Sequence, residues 1–265
     1  MICNRHTAFI FINKGCIFIS VVLLFLNNFL NAQESIHIID YVEISNTSRN
    51  GTFYHQLIFN KEKALFKQAE NFESDEDYED SAEGRSFRFD IPFSNKDLDY
   101  YSSNPFDAII KYRHNYSGKS LYVKDTIPMK WKLIDETKEI LGFVCHKAIT
   151  TFRGRTYHAW FALNLNYPYG PWKLHGLPGV ILEVKDQRDG IAFYARKLEI
   201  KKTSINSYLD DEIEKRAKFL SFSKYCSEKK EILKRNRKKI ESKMPSGVRF
   251  ARNCEDCQNL LETCD

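Results

Sequence analysis

The sequence predicts a mainly-β fold with a C-terminal helix (α+β), built as an antiparallel meander whose sheet is curved or half-barrel. Three observations predict it. Runs rich in β-branched and aromatic residues recur about every ten residues, turn signals separate them, and no long helical period precedes residue 203. A βαβ fold would need helical segments between the strands. The chain has 265 residues, 43% hydrophobic and 14% aromatic, enough for a sizeable core and too apolar for a disordered chain. With only 11 Gly and 7 Pro it is neither collagen-like nor of low complexity. Six of the Gly and three of the Pro fall between Gly142 and Gly190, which marks that stretch as the centre of interest.

Residues 1–32 read as a secretory signal peptide. Arg5 and Lys14 are the only charges, an apolar run follows from Cys16 to Leu26, and Ala32 is a small residue before the cut. The run is short of the ~20 residues that span a membrane, and Cys16 precedes the apolar core, so there is no lipobox. The expected location is periplasmic or secreted. Residues 33–202 form the expected β domain. Segments 36–44 and 52–59 flank Asn50-Gly51, a strong hairpin signal because both residues tolerate positive φ. Further strands are expected at 64–67, 85–90, 109–116, 121–127, 130–135, 143–152, 156–163, 180–185 and 191–201. An acidic loop at 70–84 interrupts them. It reads as a solvated run, because it lacks the ligand spacing and central Gly of a calcium loop.

Residues 203–265 are expected to supply a basic helix and a Cys-containing tail packed on the same domain. Ser207 and Asp210 look like a helix start, and Leu209, Ile213, Ala217 and Leu220 recur at helical spacing. Tyr225, Leu233, Ile240 and Met244 continue the period to Pro245. The outward face carries Lys229, Lys230, Lys234, Arg235, Arg237, Lys238 and Lys239. The formal charge is +5, or +3 without residues 1–32. Residues 33–195 hold 20 basic and 23 acidic groups, and residues 196–265 hold 18 and 12. So small a net charge on an exported chain argues against nucleic acid. The basic helix could meet an anionic surface.

Within 142–185, Arg153-Gly154 centres a hairpin that places Thr150 opposite Tyr157 and Lys147 opposite Trp160. Tyr169-Gly170-Pro171-Trp172 follows, then Gly176-Leu177-Pro178-Gly179, where Leu177 to Val180 fits a type II turn with Gly179 at positive φ. Turn chemistry makes this a rigid crossover. The sharper reading is an aromatic rim, Tyr167, Tyr169 and Trp172, held by Gly170, Pro171, Gly176, Leu177, Pro178 and Gly179 and presented to a ligand or partner. Gly176-Leu-Pro-Gly-Val-Ile181 resembles the signature hexapeptide of the GLPGLI family, with Val180 for the second Leu. Gly142-x-x-Cys145, Phe152-Arg-Gly-Arg155, Ala159-Trp160 and Tyr169-Gly-Pro-Trp172 resemble it as well. The resemblance implies an exported protein of the Bacteroidota, in a family without an assigned biochemical activity, so it transfers no catalytic residue.

No nucleophile elbow, metal-binding His-Glu-x-x-His or dinucleotide loop occurs. His146 and His158 point to opposite faces in the hairpin register, so they and His175 do not form a metal site, and no cofactor is expected. Cys145, Cys226, Cys254, Cys257 and Cys264 remain after export. They are candidates for a disulfide staple joining the tail to the helix or to Cys145. The leading functional expectation is a non-catalytic binding or accessory protein of the envelope, with an apolar or peptide ligand or an outer-membrane protein as partner. The alternatives are a hydrolase-type enzyme on envelope or peptide substrates, using Glu183 or Asp186 near His175, and a purely structural envelope protein.

Overall fold

The computed structural model describes residues 35–46, 51–69, 100–104, 108–116 and 119–242. Eleven strands form one antiparallel sheet: β1 (Ser35–Ser45), β2 (Gly51–Phe59), β3 (Ala64–Gln68), β4 (Tyr100–Asn104), β5 (Ile109–Tyr116), β6 (Lys119–Thr126), β7 (Lys132–Ile140), β8 (Phe143–Phe152), β9 (Arg155–Ala162), β10 (Val180–Asp186) and β11 (Ile191–Lys202). The spatial order is β6-β5-β4-β3-β2-β1-β11-β10-β9-β8-β7. Two meanders therefore join where β11 pairs with β1, and the two edges of the sheet, β6 and β7, are consecutive in the chain.

That connectivity forces curvature. Eleven strands laid flat would separate the edges by about 48 Å at ~4.8 Å per strand. The link from Thr126 to Lys132 can span no more than about 20 Å even when fully extended. The sheet must curl until its edges approach, which gives the half-barrel. Side chains fasten the approach: Arg153 Nη2 donates to Asp125 Oδ2 at 2.6 Å, and Thr150 Oγ1 donates to the Lys130 carbonyl at 2.8 Å.

The predicted hairpin register holds, with Thr150 opposite Tyr157 and Lys147 opposite Trp160. The structure also decides which face is the core: Ala148, Tyr157, Ala159 and Phe161 point into the hollow and are buried. Leu141-Gly142 and Arg153-Gly154 turn with both residues at positive φ, matching the twist of the strands they join. Strand β4 escaped the sequence reading because Tyr-Tyr-Ser-Ser-Asn is short and mostly polar. Strand β7 runs on to Ile140, beyond the expected 135, since its exposed residues carry no apolar alternation. The expected strand at 85–90, the acidic loop at 70–84 and the signal peptide lie outside the described residues.

The single helix expected from Ser207 is three pieces: a 3-10 turn (Ile205–Tyr208), α1 (Asp211–Glu214) and α2 (Phe222–Glu241). The reason is the free edge of β6. Leu220 N–H donates to Tyr122 O at 2.9 Å, and Lys124 N–H donates to Leu220 O at 3.0 Å, so the sheet edge claims backbone groups that a helix would use. Residues 205–219 lie across the convex face, where Ile205 and Ile213 pack on Ile36, Ile38, Ile58 and Leu65. The chain then rounds β6, and α2 covers the open side with Tyr225, Cys226 and Ile232 in the main core. Lys229, expected on the outward basic face, is buried beside Tyr225, whereas Leu233 is exposed.

Candidate functional site

The segment 163–179 between β9 and β10 does not span the outside of the sheet. It fills the hollow. Leu165, Tyr169, Trp172, Leu174 and Leu177 are buried in the main core. Its backbone is knit to the strands it joins, with Val180 N–H to Leu165 O at 3.0 Å and Ile181 N–H to Tyr169 O at 2.9 Å. Tyr41 of β1 donates its hydroxyl to Ile181 O across the hollow. Trp131, in the link between the edges, donates to His175 O at 2.8 Å. Lys173 is fully buried with its ammonium 3.9 Å from the Tyr112 ring centroid, a cation on an aromatic face.

This placement redistributes the expected rim. Tyr169, Gly170, Pro171, Trp172, Leu177 and Gly179 are buried, Tyr167 is half-buried, and Gly176 and Pro178 are exposed. An aromatic belt of buried rings cannot meet a partner, so of the three aromatics only Tyr167 remains within reach of one. Gly179 is not at positive φ. That conformation falls on Gly176, at +90°, and on Trp172, at +57°. Gly179 is required instead by close approach, because a Cβ there would stand 2.1 Å from Ala162 O. The sequence cannot separate these two uses of glycine, since both are invisible until the neighbour is placed.

The acid and histidine proposed for an enzyme are not paired with one another. Glu183 accepts from Lys138 Nζ at 2.7 Å. Asp186 accepts from Arg155 and from the backbone N–H groups of Arg188 and Gly190 at 2.8 and 2.9 Å. His175 Nδ1 lies 2.9 Å from Lys173 O. The hollow does hold an acid–imidazole pair that sequence reading missed: His55 Nε2 and Glu43 Oε2, 2.6 Å apart. His55 stacks on Phe66 at 4.9 Å and meets Phe193 edge-on. Among the described residues the bond to Glu43 is the hydrogen bond of the His55 side chain, and no serine, threonine or cysteine side chain bonds it. The only available signal was a Glu and a His at inward strand positions, and the inward face was not known.

Burial pushes the His175 pKa down, and this outweighs the carbonyls of Lys173 and Ile127, which favour the proton. The unfolded chain then binds this proton at a higher pH than the folded one. Stability from this site is complete above pH about 6.5 and is lost as pH falls through the lowered folded value. His37, lowered by burial as well, acts in the same direction. The thermal midpoint should therefore fall between about pH 7 and pH 5, and less steeply in His175→Gln. Equal slopes would refute the assignment to His175.

Cys145 is a fully buried free thiol, so the tail is not stapled to it. Burial raises its pKa from 9.0 to about 11. At pH 8 the thiolate is about 100-fold scarcer than for an ordinary thiol. Iodoacetamide should therefore label the native chain at least that much more slowly than the urea-unfolded chain, followed by intact mass. Cys226 is also buried, and Cys254, Cys257 and Cys264 lie outside the described residues. Among the described residues no group of three or more His, Cys, Asp or Glu could hold a metal ion.

With this geometry in view, the comparisons with known proteins can be placed. The family described as N-glycanase peptide, N-terminal domain, matches residues 92–224, half of the chain. The chain belongs to this family. The stretch 142–185, with its plug and its hexapeptide, lies inside the match, so the family domain includes the segment that fills the hollow. No curated protein matches. Crystal structures of PNGF-II in space groups C2 and P21 are similar at 17% identity, with TM-scores of 0.47 and 0.45, covering 71% of this chain and 31% of theirs. A domain from Vibrio parahaemolyticus, described as belonging to an outer membrane lipoprotein-sorting protein, is similar at 8% identity and a TM-score of 0.32, covering 70% of this chain and 93% of that one. The chain thus spans about a third of the length of PNGF-II.

Proposed function

We propose that this N-glycanase N-terminal-type domain is an exported, non-catalytic accessory protein of the cell envelope that engages its partner by its outer surface. The observation that carries this reading is the filled hollow. A curved sheet closed by a helix would ordinarily accommodate an apolar ligand. Here Tyr169, Trp172, Leu174 and Leu177 from the plug and Tyr225 and Ile232 from α2 occupy that space. The cavities near the surface, of about 460 and 330 Å³, are lined largely by charged and polar residues. The exported location rests on the apolar leader and the GLPGLI resemblance. A staple from Cys226 to the tail suits the oxidising compartment that export implies. The family description links the domain to an N-glycanase, and we read its part there as support for a catalytic partner rather than cleavage by the domain itself.

Two measurements test the reading. Native mass spectrometry of the protein from its own envelope fraction should show no bound apolar ligand, and a stoichiometric lipid would overturn the filled hollow. Incubation with an N-glycosylated peptide should leave the peptide mass unchanged. Release of the glycan by wild type but not by Glu43→Gln or His55→Gln would establish an enzyme instead.

A further inference from the structure

On the convex face beside the free edge of the sheet, Lys111 of β5 and Lys124 of β6 stand directly opposite one another in register. Like charges at such a position oppose strand pairing. A third cation, Arg216, reaches the same place from the arm between α1 and α2, its guanidinium 3.6 Å from the Tyr122 ring centroid. The three line one cavity of about 460 Å³ together with Phe219, Leu220 and Ser221. Ser221 is also where α2 begins. Its carbonyl accepts from Tyr225 N–H at 2.9 Å, and the first turn of the helix carries no acid, so the positive end of the helix dipole adjoins the cavity.

The contrast along the arm is the argument. Asp210 neutralises Arg113 at 2.6 Å, and Glu214 neutralises Lys63 at 3.0 Å while accepting from Ser102. Two residues on, where the arm crosses Lys111 and Lys124, it offers Arg216, whereas the intervening Lys215 is paired with Asp211 at 2.9 Å. Among the described residues no carboxylate pairs with Lys111, Lys124 or Arg216. Among the described residues the arm thus supplies counter-charge to Arg113 and Lys63 and none to the three cations that converge around this cavity. Phe219 and Leu220 give that cavity an apolar wall.

We propose that this cavity is a binding site for a phosphate monoester. The phosphate sits among Lys111, Lys124 and Arg216, and the organic remainder lies against Phe219. Charge-assisted hydrogen bonds from several cations are the recognised means of holding such a dianion. The site goes beyond the accessory reading and does not depend on it.

The test uses the full mature chain and two probes, glucosamine 1-phosphate in solution and phosphatidylcholine vesicles containing phosphatidic acid. Binding of the sugar phosphate marks a free ligand, and binding of the vesicles alone marks a lipid-borne one. In either arm Lys111→Gln/Lys124→Gln should weaken binding by about tenfold or more, and added salt should weaken the wild type. Without ligand the double variant should melt no lower than wild type, because a repulsive pair has been removed. If it does melt lower, the single variants Lys111→Gln and Lys124→Gln must each show the loss. Absence of binding, or binding indifferent to these substitutions, overturns the proposal. So does binding that emerges only when the carboxylates of 70–84 are neutralised to amides, which would make the chain's own acids the counter-charge.

Discussion

Gly179→Ala is expected to prevent the native sheet from closing on its plug. The added Cβ would lie 2.1 Å from Ala162 O, 2.6 Å from Ala162 C and 3.1 Å from Leu163 Cα. All three are backbone atoms, so no side chain can swing away. Relief requires moving the end of β9 from the start of β10, exactly where Val180 pairs with Ala162. Overpacking that side chains can absorb costs about 1–3 kcal/mol, and a backbone clash of this depth should exceed that range. The control is Gly176→Ala, where the nearest atom is Trp131 Nε1 at 3.9 Å and the cost arises from φ at +90°. That cost is about 1–2 kcal/mol. Urea unfolding monitored by tryptophan fluorescence compares the two. Equal stability would show that the close approach at Ala162 is not needed.

Asp186→Ala should be the second severe substitution, by about 3–5 kcal/mol, the usual cost of breaking a buried ion pair from one side. The Arg155 and Asp186 side chains are 2% and 1% exposed. Loss of the carboxylate removes the ion-pair partner of a buried guanidinium and leaves the N–H groups of Arg188 and Gly190, which donate to Asp186 Oδ1, without their acceptor. Burial already pushes the Arg155 pKa down, which makes removal of a facing carboxylate costly. Arg155→Met should cost less, because Asp186 keeps its two backbone donors. The double variant should not return to wild-type stability, since those donors stay unpaired. Urea midpoints of the three variants check this, and additivity of the two single changes would exclude coupling between Arg155 and Asp186.

The strands were legible because their apolar and aromatic runs depend only on local chemistry. The β8–β9 register was legible for a similar reason. Arg153-Gly154 fixes the turn, and a two-residue turn fixes every pair above it. The helix boundary was not legible. Leu209, Ile213, Ala217 and Leu220 have the helical period, yet Leu220 spends its N–H and C=O on the edge of β6, which lies nearly a hundred residues earlier. The aromatic rim was misplaced for a related reason. Tyr169 and Trp172 stand among turn residues that usually face solvent, and only the curl of the sheet turns them inward. Lys111, Lys124 and Arg216 escaped notice because they come from two strands and an arm.

By itself the sequence determined the class of fold, most of its strands, the Arg153-Gly154 hairpin, and the importance of the glycine- and proline-rich stretch. These follow from side-chain preference and turn geometry over a few residues. Tertiary structure alone decided that the stretch is a plug, that Gly179 serves close approach rather than positive φ, and that three cations meet over one cavity. Each depends on which distant segments become neighbours. The short link between β6 and β7 sets that outcome, by drawing the edges of an eleven-stranded sheet together.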